Sequence, residues 1–164
     1  MLVGVIADTH DNLMKLDEAL KIFNDQNVTL VVHGGDIIAP FAVPPLTQLN
    51  CKVIATFGNN DGERMGLSRK FAEINGIIQE QPVVETTEGK TICIVHGDHL
   101  ALLNTVLVSG QFDLVVSGHT HRPKTEQVGR TLHVNPGECG GWLTGRSTIA
   151  LADLEEKKAE IIDI

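Results

Sequence analysis

The chain has 164 residues, which is enough for one domain with a sizeable core, and we predict a single domain over residues 1–164. The net charge of −8, with scattered Lys and Arg residues, offers no basic face for nucleic acid. No segment approaches the ~20 consecutive apolar residues of a membrane span, and the first residues lack the basic flank and cleavage signature of a signal peptide. Cys51, Cys93 and Cys139 lie far apart without zinc-type pairing, which favours buried thiols in a reducing cytoplasm.

The first part of the chain predicts alternating strands and helices. Short apolar runs indicate strands at residues 2–7, 28–32 and 53–56. Apolar residues at helical spacing predict a helix over residues 13–23, with Asn12 as its N-cap. Pro44-Pro45 predicts a short helix over residues 46–49. This alternation is typical of an α/β arrangement with parallel strands.

The second part of the chain predicts hairpins and two further helices. The helices cover residues 63–74 and 100–108, and a strand covers residues 114–117. Turn signals predict three hairpins, which pair residues 83–86 with 91–95, 124–128 with 131–135, and 148–153 with 158–162. Together these elements predict one mixed sheet, or two packed sheets, with helices outside.

Metal-capable side chains follow five of the predicted strands. They are Asp8 and His10, Asp36, Asn59, His96, and His119 and His121. In open α/β sheets, ligands gather at the carboxyl ends of the strands. Each position alone has an ordinary explanation, such as a turn, a cap or a core histidine. Five such strand ends in one chain indicate a metal site.

The order of these motifs resembles that of a known family. Asp8-x-His10, Gly35-Asp36, Gly58-Asn59, Val95-His96 and Gly118-His119-x-His121 resemble the motif set of calcineurin-like metallophosphoesterases. The segments Gly58-Asn59-Asn60-Asp61-Gly62-Glu63 and Asn135-Pro136-Gly137-Glu138 are similar to the small, uncapped archaeal and bacterial phosphodiesterase branch. That branch is also similar to the scaffold subunit of the retromer complex. The resemblance implies an α/β fold, a four-layer αββα sandwich of two mixed β-sheets flanked by helices.

The resemblance also implies a dinuclear metal centre. One ion would be bound by Asp8, His10, Asp36 and His121, and the other by Asp36, Asn59, His96 and His119, with Asp36 bridging. Imidazole and carboxylate ligands suit Mn²⁺, our first choice, and also Ni, Fe, Co, Zn or Mg, while the lack of thiolates argues against structural zinc. Two such ions would generate a bridging hydroxide that attacks a phosphodiester.

The leaving-group acid is left unassigned by the sequence. Many family members carry His after the motif Asn, whereas this chain has Asn60, which cannot act as a general acid. The phosphodiesterase branch often has His two residues after the His-Gly histidine, where this chain has Asp98, followed by His99. Asn60 and His99 remain the weak candidates for a catalytic role, and a solvent-facing helix N-terminus is the favoured interpretation of His99. His33 is predicted as a strand-end residue that supports the ligands.

The sequence therefore predicts a cytoplasmic, metal-dependent phosphodiesterase that acts on a small phosphodiester, with homo-oligomer formation left open. The alternatives are a non-catalytic scaffold with the same fold, or a phosphomonoesterase acting on a nucleotide or phosphoprotein. A repair nuclease is disfavoured by the short, acidic chain. The Asn135–Glu138 segment is interpreted as a turn, with a loop that rims the pocket as the alternative. Gly140-Gly141-Trp142 is interpreted as a flexible corner, and core packing or a contact with another subunit is favoured for its aromatic ring over stacking on a substrate.

Overall fold

The computed structural model describes all residues 1–164 and contains two β-sheets. The strands of the first sheet are β1 (Leu2–Ile6), β2 (Leu30–His33), β3 (Lys52–Thr56), β4 (Ile77–Gln79), β10 (Thr148–Asp153) and β11 (Lys158–Asp163). Their order is β11-β10-β1-β2-β3-β4. Strands β1 to β4 run parallel, as predicted for the first three, and β10 and β11 form an antiparallel hairpin beside β1.

The second sheet has five strands in the order β5-β6-β7-β9-β8. Its strands are β5 (Val83–Thr87), β6 (Lys90–Ile94), β7 (Leu114–Val116), β8 (Lys124–Val128) and β9 (Thr131–Asn135). Strands β6, β7 and β9 are parallel, and β5 and β8 are antiparallel edges. All three predicted hairpins are present, and both sheets are mixed.

Three α-helices cover the outer faces of the sheets. They are α1 (Leu13–Asp25), α2 (Arg64–Glu73) and α3 (Leu100–Val108). As predicted, Asn12 caps α1 by accepting a hydrogen bond from the Lys15 N–H. Helices α1 and α2 pack on the first sheet and α3 on the second, which gives the four predicted layers αββα. None of these helices has both the length and the apolar character needed to cross a bilayer.

The two sheets are held together by one face of each strand. Successive side chains of a strand point to opposite faces, so Val3 and Val5 of β1 enter the core between the sheets while Ile6 faces the helices. In the second sheet, Val116 faces the same inter-sheet core and Val115 packs under α3. A register shift of one residue would exchange the two faces, so this alternation fixes the register of the strands.

One observed strand was not predicted, and one predicted helix differs in its type and its first residue. The three-residue strand β4 was not predicted, because a segment that short shows no periodicity. The short helix predicted over residues 46–49 begins at Pro44 and is a 3₁₀ helix over Pro44–Gln48, preceded by another 3₁₀ turn over Pro40–Ala42. Proline at the first helical positions sets this earlier start.

Candidate metal centre

The loops that follow β1, β2, β3, β6 and β7 meet at one edge of the sandwich. Backbone hydrogen bonds join them: the Asp8 N–H donates to the Gly35 carbonyl at 3.0 Å, and the Gly118 N–H donates to the His96 carbonyl at 2.8 Å. The His119 N–H donates to Asp8 Oδ2 at 3.0 Å, which links the first sheet to the second. The structure thus brings together all seven side chains that the sequence predicts as metal ligands.

One half of the centre is formed by two carboxylates and two histidines. His10 Nε2 lies 3.5 Å from Asp36 Oδ2 and 4.0 Å from Asp8 Oδ1, and His121 Nε2 lies 3.7 Å from Asp8 Oδ1. Donor atoms around an ion at about 2.0–2.2 Å are themselves about 3–3.5 Å apart, so these spacings are close to those of a ligand set. The buried His10 Nε2 has no hydrogen-bond partner, as expected of an atom whose partner is a metal ion.

The other half is centred on the amide oxygen of Asn59. His96 Nε2 and His119 Nδ1 each lie 2.9 Å from Asn59 Oδ1. His96 Nδ1 lies 2.8 Å from the Gly34 carbonyl and donates to it, so Nε2 is the nitrogen that can bind a metal once its proton is lost. Asp36 Oδ2 is 3.5 Å from His96 Nε2, the same distance that separates it from His10 Nε2. Asp36 therefore faces both halves.

Five of the seven ligand residues have a left-handed backbone. The φ angles are 51° at Asp8, 44° at His10, 58° at Asp36, 66° at His119 and 58° at His121. Each such non-glycine conformation costs on the order of 1 kcal/mol or more and persists only where the surroundings impose it. Strained residues of this kind cluster at functional sites, and here they coincide with the ligand positions.

Burial and mutual contacts set the pKa values of the side chains that would bind the metal. Burial, reinforced by the nearby Asp36, raises the pKa of Asp8 to about 8. Burial acts to lower the pKa of His96, but its hydrogen bond and attraction to Asp36 prevail and raise it to about 9. Burial opposes ionisation of Asp36, yet contacts with His96 and Asn60 hold its pKa well below the usual range. Because ligands bind metals in their deprotonated forms, metal binding would displace the protons on Asp8 and His96.

Asp61 fixes the loops that carry two of the ligand residues. It is almost fully buried and accepts hydrogen bonds of 2.7–3.0 Å from four backbone N–H groups. The four donors are Asp36, Ile37, Ile38 and Gly58. These donors follow two different strands, β2 and β3. One carboxylate therefore sets the position of Asp36 relative to the Asn59 loop.

Glu138 was missed as a functional residue by the sequence interpretation. The segment predicted as a simple turn instead places a buried carboxylate, whose Oε1 lies 3.3 Å from His121 Nδ1. The same carboxylate accepts hydrogen bonds from the Leu143 and Thr144 N–H groups. A carboxylate behind a metal-binding histidine fixes the ring orientation and raises its basicity. The Asn-Pro-Gly-Glu motif was the only sequence signal for this role.

Replacing Glu138 by glutamine should weaken metal binding by about 10–100-fold, because the carboxylate behind His121 loses its charge while the side-chain size is kept. The measurement is a competition titration of metal-free protein against a chelating dye. Glu156→Gln, at an exposed turn, is the matched control and should bind metal as the wild type does. An unchanged affinity in Glu138→Gln would mean that Glu138 only closes its own turn.

The loop that carries His119 and His121 is anchored from behind by β9. Asn135 Nδ2 donates to the Gly118 carbonyl at 2.7 Å and to Thr120 Oγ1 at 3.1 Å. His133, also on β9, lies 2.9 Å from Ser117 Oγ. These buried polar side chains line a cavity of about 480 Å³ that lies behind the loop. The largest cavity of the protein is thus separated from the ligand side chains by the loop itself.

The two weak catalytic candidates occupy different environments. The Asn60 side chain donates to Asp36 Oδ2 at 2.7 Å, and its backbone N–H donates to Asp36 Oδ1 at 2.8 Å. Asn60 therefore orients the carboxylate that faces both halves. His99 is the N-cap residue of α3, its side chain is 72% exposed, and its nearest ionic neighbour is Asp98 at 3.7 Å. This is the solvent-facing helix N-terminus that the sequence also allowed.

His33 lies at the end of β2, as predicted, and supports the ligand loops. Its Nδ1 accepts a hydrogen bond from the Gly35 N–H, and its Nε2 lies 3.1 Å from Thr9 Oγ1. Burial lowers the pKa of His33 to about 3, so the ring is neutral and Nε2–H is the donor. The residue connects the loop after β1 with the loop after β2.

An αββα sandwich with carboxylate, amide and imidazole ligands at its strand ends defines a metal-binding protein of the two-sheet α/β class. A family profile described as the calcineurin-like phosphoesterase superfamily domain matches residues 1–157, and the chain belongs to that superfamily. A phosphodiesterase of Methanocaldococcus jannaschii is 43% identical over 160 residues, which cover 96% of each chain. The phosphodiesterase YfcE of Escherichia coli is 28% identical over 149 residues, covering 80% of this chain and 75% of that protein.

Solved structures agree with this membership. The structure of an archaeal phosphodiesterase has a TM-score of 0.94 at 40% identity, with 100% of both chains covered. The zinc complex of Vps29 from Entamoeba histolytica has a TM-score of 0.68 at 20% identity, with 99% of both chains covered. The second similarity shows a common fold. The predicted fold and the resemblance to the small archaeal and bacterial branch are both confirmed.

Proposed function

We propose that this chain is a metal-dependent phosphodiesterase that hydrolyses a small phosphodiester. The observation that carries the proposal is Asp36 Oδ2, which lies 3.5 Å from a histidine nitrogen in each half of the centre. A carboxylate in that position suits a pair of divalent ions better than a single ion. The 43% identical relative is itself a phosphodiesterase, which supports the same activity here.

We assign the seven side chains to two ions. Asp8, His10, Asp36 and His121 would hold one ion, and Asp36, Asn59, His96 and His119 the other, with Mn²⁺ as the proposed metal at both positions. Such a pair supplies a nucleophile from water at neutral pH and positive charge for the phosphoryl oxygens. Only Asp8 and Asp36 contribute negative charge directly, so the loaded centre stays cationic and attracts a phosphodiester even in an acidic protein.

The protein's own residues hold this arrangement in place. Asn60 orients Asp36, and the Gly34 carbonyl accepts from His96 Nδ1 and leaves Nε2 as the metal-binding nitrogen. Glu138 lies 3.3 Å from His121 Nδ1, without hydrogen-bond geometry, and would turn this ring by charge. Positioning of this kind matters because catalysis by two metals depends on a fixed geometry and a supported ligand set. We assign no side chain at the centre as a leaving-group acid. The metals would therefore supply most of the rate enhancement.

The proposal is tested by removing the metal with a chelator and adding back Mn²⁺, Ni²⁺, Mg²⁺ or Zn²⁺ separately. We expect hydrolysis of bis(p-nitrophenyl) phosphate to disappear on chelation and to return with Mn²⁺, and p-nitrophenyl phosphate to be a poorer substrate. Activity with none of these metals, together with no bound metal in a crystal, would instead support the scaffold alternative. Preference for the monoester would support a phosphomonoesterase.

A cytoplasmic location is also part of the proposal. All three cysteines are free, and Cys93 and Cys139 are buried. Burial raises the pKa of Cys93 to about 11, so this thiol remains protonated and inert at neutral pH. Unpaired, unreactive thiols are typical of proteins from a reducing compartment.

A further inference from the structure

Trp142 stands at the surface beside a metal-ligand residue. The residue is 65% exposed, and its indole Nε1–H donates a hydrogen bond of 3.0 Å to the backbone carbonyl of His10. Packing in the core, one of the two predicted environments of this ring, is therefore wrong, and the other, a contact with another subunit, stays a prediction. Trp142 is the only tryptophan of a chain that has no tyrosine.

The segment that carries Trp142 is tied to the loop after β1. The Gly140 N–H donates to the Asp8 carbonyl at 3.0 Å, and Asn12 Nδ2 donates to the Gly140 carbonyl at 2.7 Å. A Cβ atom at Gly140 would lie only 2.8 Å from the Thr9 carbonyl oxygen, so the approach of the two segments requires glycine. The segment is thus held by three hydrogen bonds against the loop after β1, one of them from the indole and two at the backbone of Gly140.

Trp142 stays 65% exposed although its N–H is engaged. A tryptophan has two side-chain torsions, and a hydrogen bond at Nε1 restricts both, so little conformational entropy is lost when a ligand stacks on it. Indole offers a large π-surface to any planar ring, whatever the substituents of that ring. The neighbouring Leu143, which is 79% exposed, adds apolar surface beside it.

We propose that Trp142 is a stacking platform for a nucleobase carried by the ester group that stays on the phosphate, not by the leaving group. This inference rests on the proposed phosphodiesterase function and narrows its substrate class. The bond to the His10 carbonyl places the platform next to a residue of the metal centre, so one substrate can contact the centre through its phosphate and the indole through its organic group. Diesters with two small alkyl groups would not use the platform.

The kinetic test uses two diesters with the same p-nitrophenolate leaving group, thymidine 5′-(p-nitrophenyl phosphate) and methyl p-nitrophenyl phosphate. Trp142→Ala should raise KM for the thymidine ester about tenfold, and Trp142→Phe should restore most of the loss, because a phenyl ring still stacks. KM for the methyl ester should be unchanged in both variants. Val108→Ala, which removes a similarly exposed apolar side chain at the C-terminal end of α3, is the control and should leave the preference between the two esters intact. Equal changes for both esters, or no change for either, would overturn the proposal.

A binding measurement separates this proposal from the proposed activity. Trp142 is the sole tryptophan, so the intrinsic emission of the folded protein reports on this side chain alone. Thymidine 5′-monophosphate should quench the emission of the metal-loaded protein, whereas inorganic phosphate should not. If the protein hydrolyses no diester, the proposed function fails, but this titration still shows whether Trp142 contacts the nucleobase. Identical emission with the nucleotide and with phosphate would refute the platform even in an active enzyme.

Discussion

Replacement of Asp36 by asparagine should remove both metal ions and lower phosphodiesterase activity by more than about a hundredfold, beyond the loss typical of a supporting residue. The reason is the position of Asp36 Oδ2, 3.5 Å from both His10 Nε2 and His96 Nε2. Asparagine keeps the side-chain size, but its neutral amide cannot hold two cations. The measurement is metal content per chain after loading and desalting, together with the rate of hydrolysis of bis(p-nitrophenyl) phosphate.

Asparagine is chosen because it should leave the backbone conformation at residue 36 unchanged. Asp36 has a φ of 58°, a left-handed conformation that Asn tolerates and alanine does not. Asp36→Ala should lose metal to the same extent and should also be less stable to heat. Asp17→Asn, on the exposed part of α1, is the matched control and should retain two ions and full activity. Retention of one ion by Asp36→Asn would contradict the bridging role, and retention of both would remove Asp36 from the centre.

The convergence of the seven candidate side chains could be predicted from the sequence because each of them has a local signal. Every one of the seven side chains follows a short apolar strand, and parallel strands bring their carboxyl ends to one edge. The strand pattern itself is read from periodicity, so the fold and the location of the centre follow from the same residues. The five strands belong to two different sheets. The sequence did not decide between one mixed sheet and two packed sheets.

Apart from His33, the supporting residues could not be predicted, because their partners are distant in sequence. Glu138 contacts His121 through space, and the Asn-Pro-Gly-Glu motif around Glu138 is also that of an ordinary turn. The Trp142 indole is bonded to His10, 132 positions earlier in the chain, so its orientation depends on the packing of two loops. Asp61 sits in a segment that does predict a turn, but its four N–H donors come from loops after two different strands. Long-range hydrogen bonds of this kind exist only once both sheets have formed.

Hydrolysis should depend steeply on the leaving group, with aryl diesters reacting at least about a hundredfold faster than alkyl diesters, because a general acid that would assist poor leaving groups by 10²–10⁴-fold is missing. Asn60 cannot donate a titratable proton, and its amide is already bonded to Asp36 Oδ2 at 2.7 Å. The measurement is kcat/KM for a series of methyl phosphodiesters whose leaving groups span a range of pKa values. Equal rates for the aryl and alkyl members would refute the missing-acid interpretation.

Asn60→His tests the same interpretation by restoring an acid at the position where many superfamily members carry it. Alkyl diesters should accelerate by about a hundredfold, the low end of general-acid assistance, while aryl diesters should change little because their leaving groups depart without protonation. Asn60→Ala is the paired variant: it also removes the amide that orients Asp36 but adds no acid, so it should slow all substrates alike. The backbone N–H of residue 60 still donates to Asp36 Oδ1 in both variants, which keeps the carboxylate in place for the comparison. A slope against leaving-group pKa that is identical in Asn60→His and Asn60→Ala would show that residue 60 acts only through Asp36.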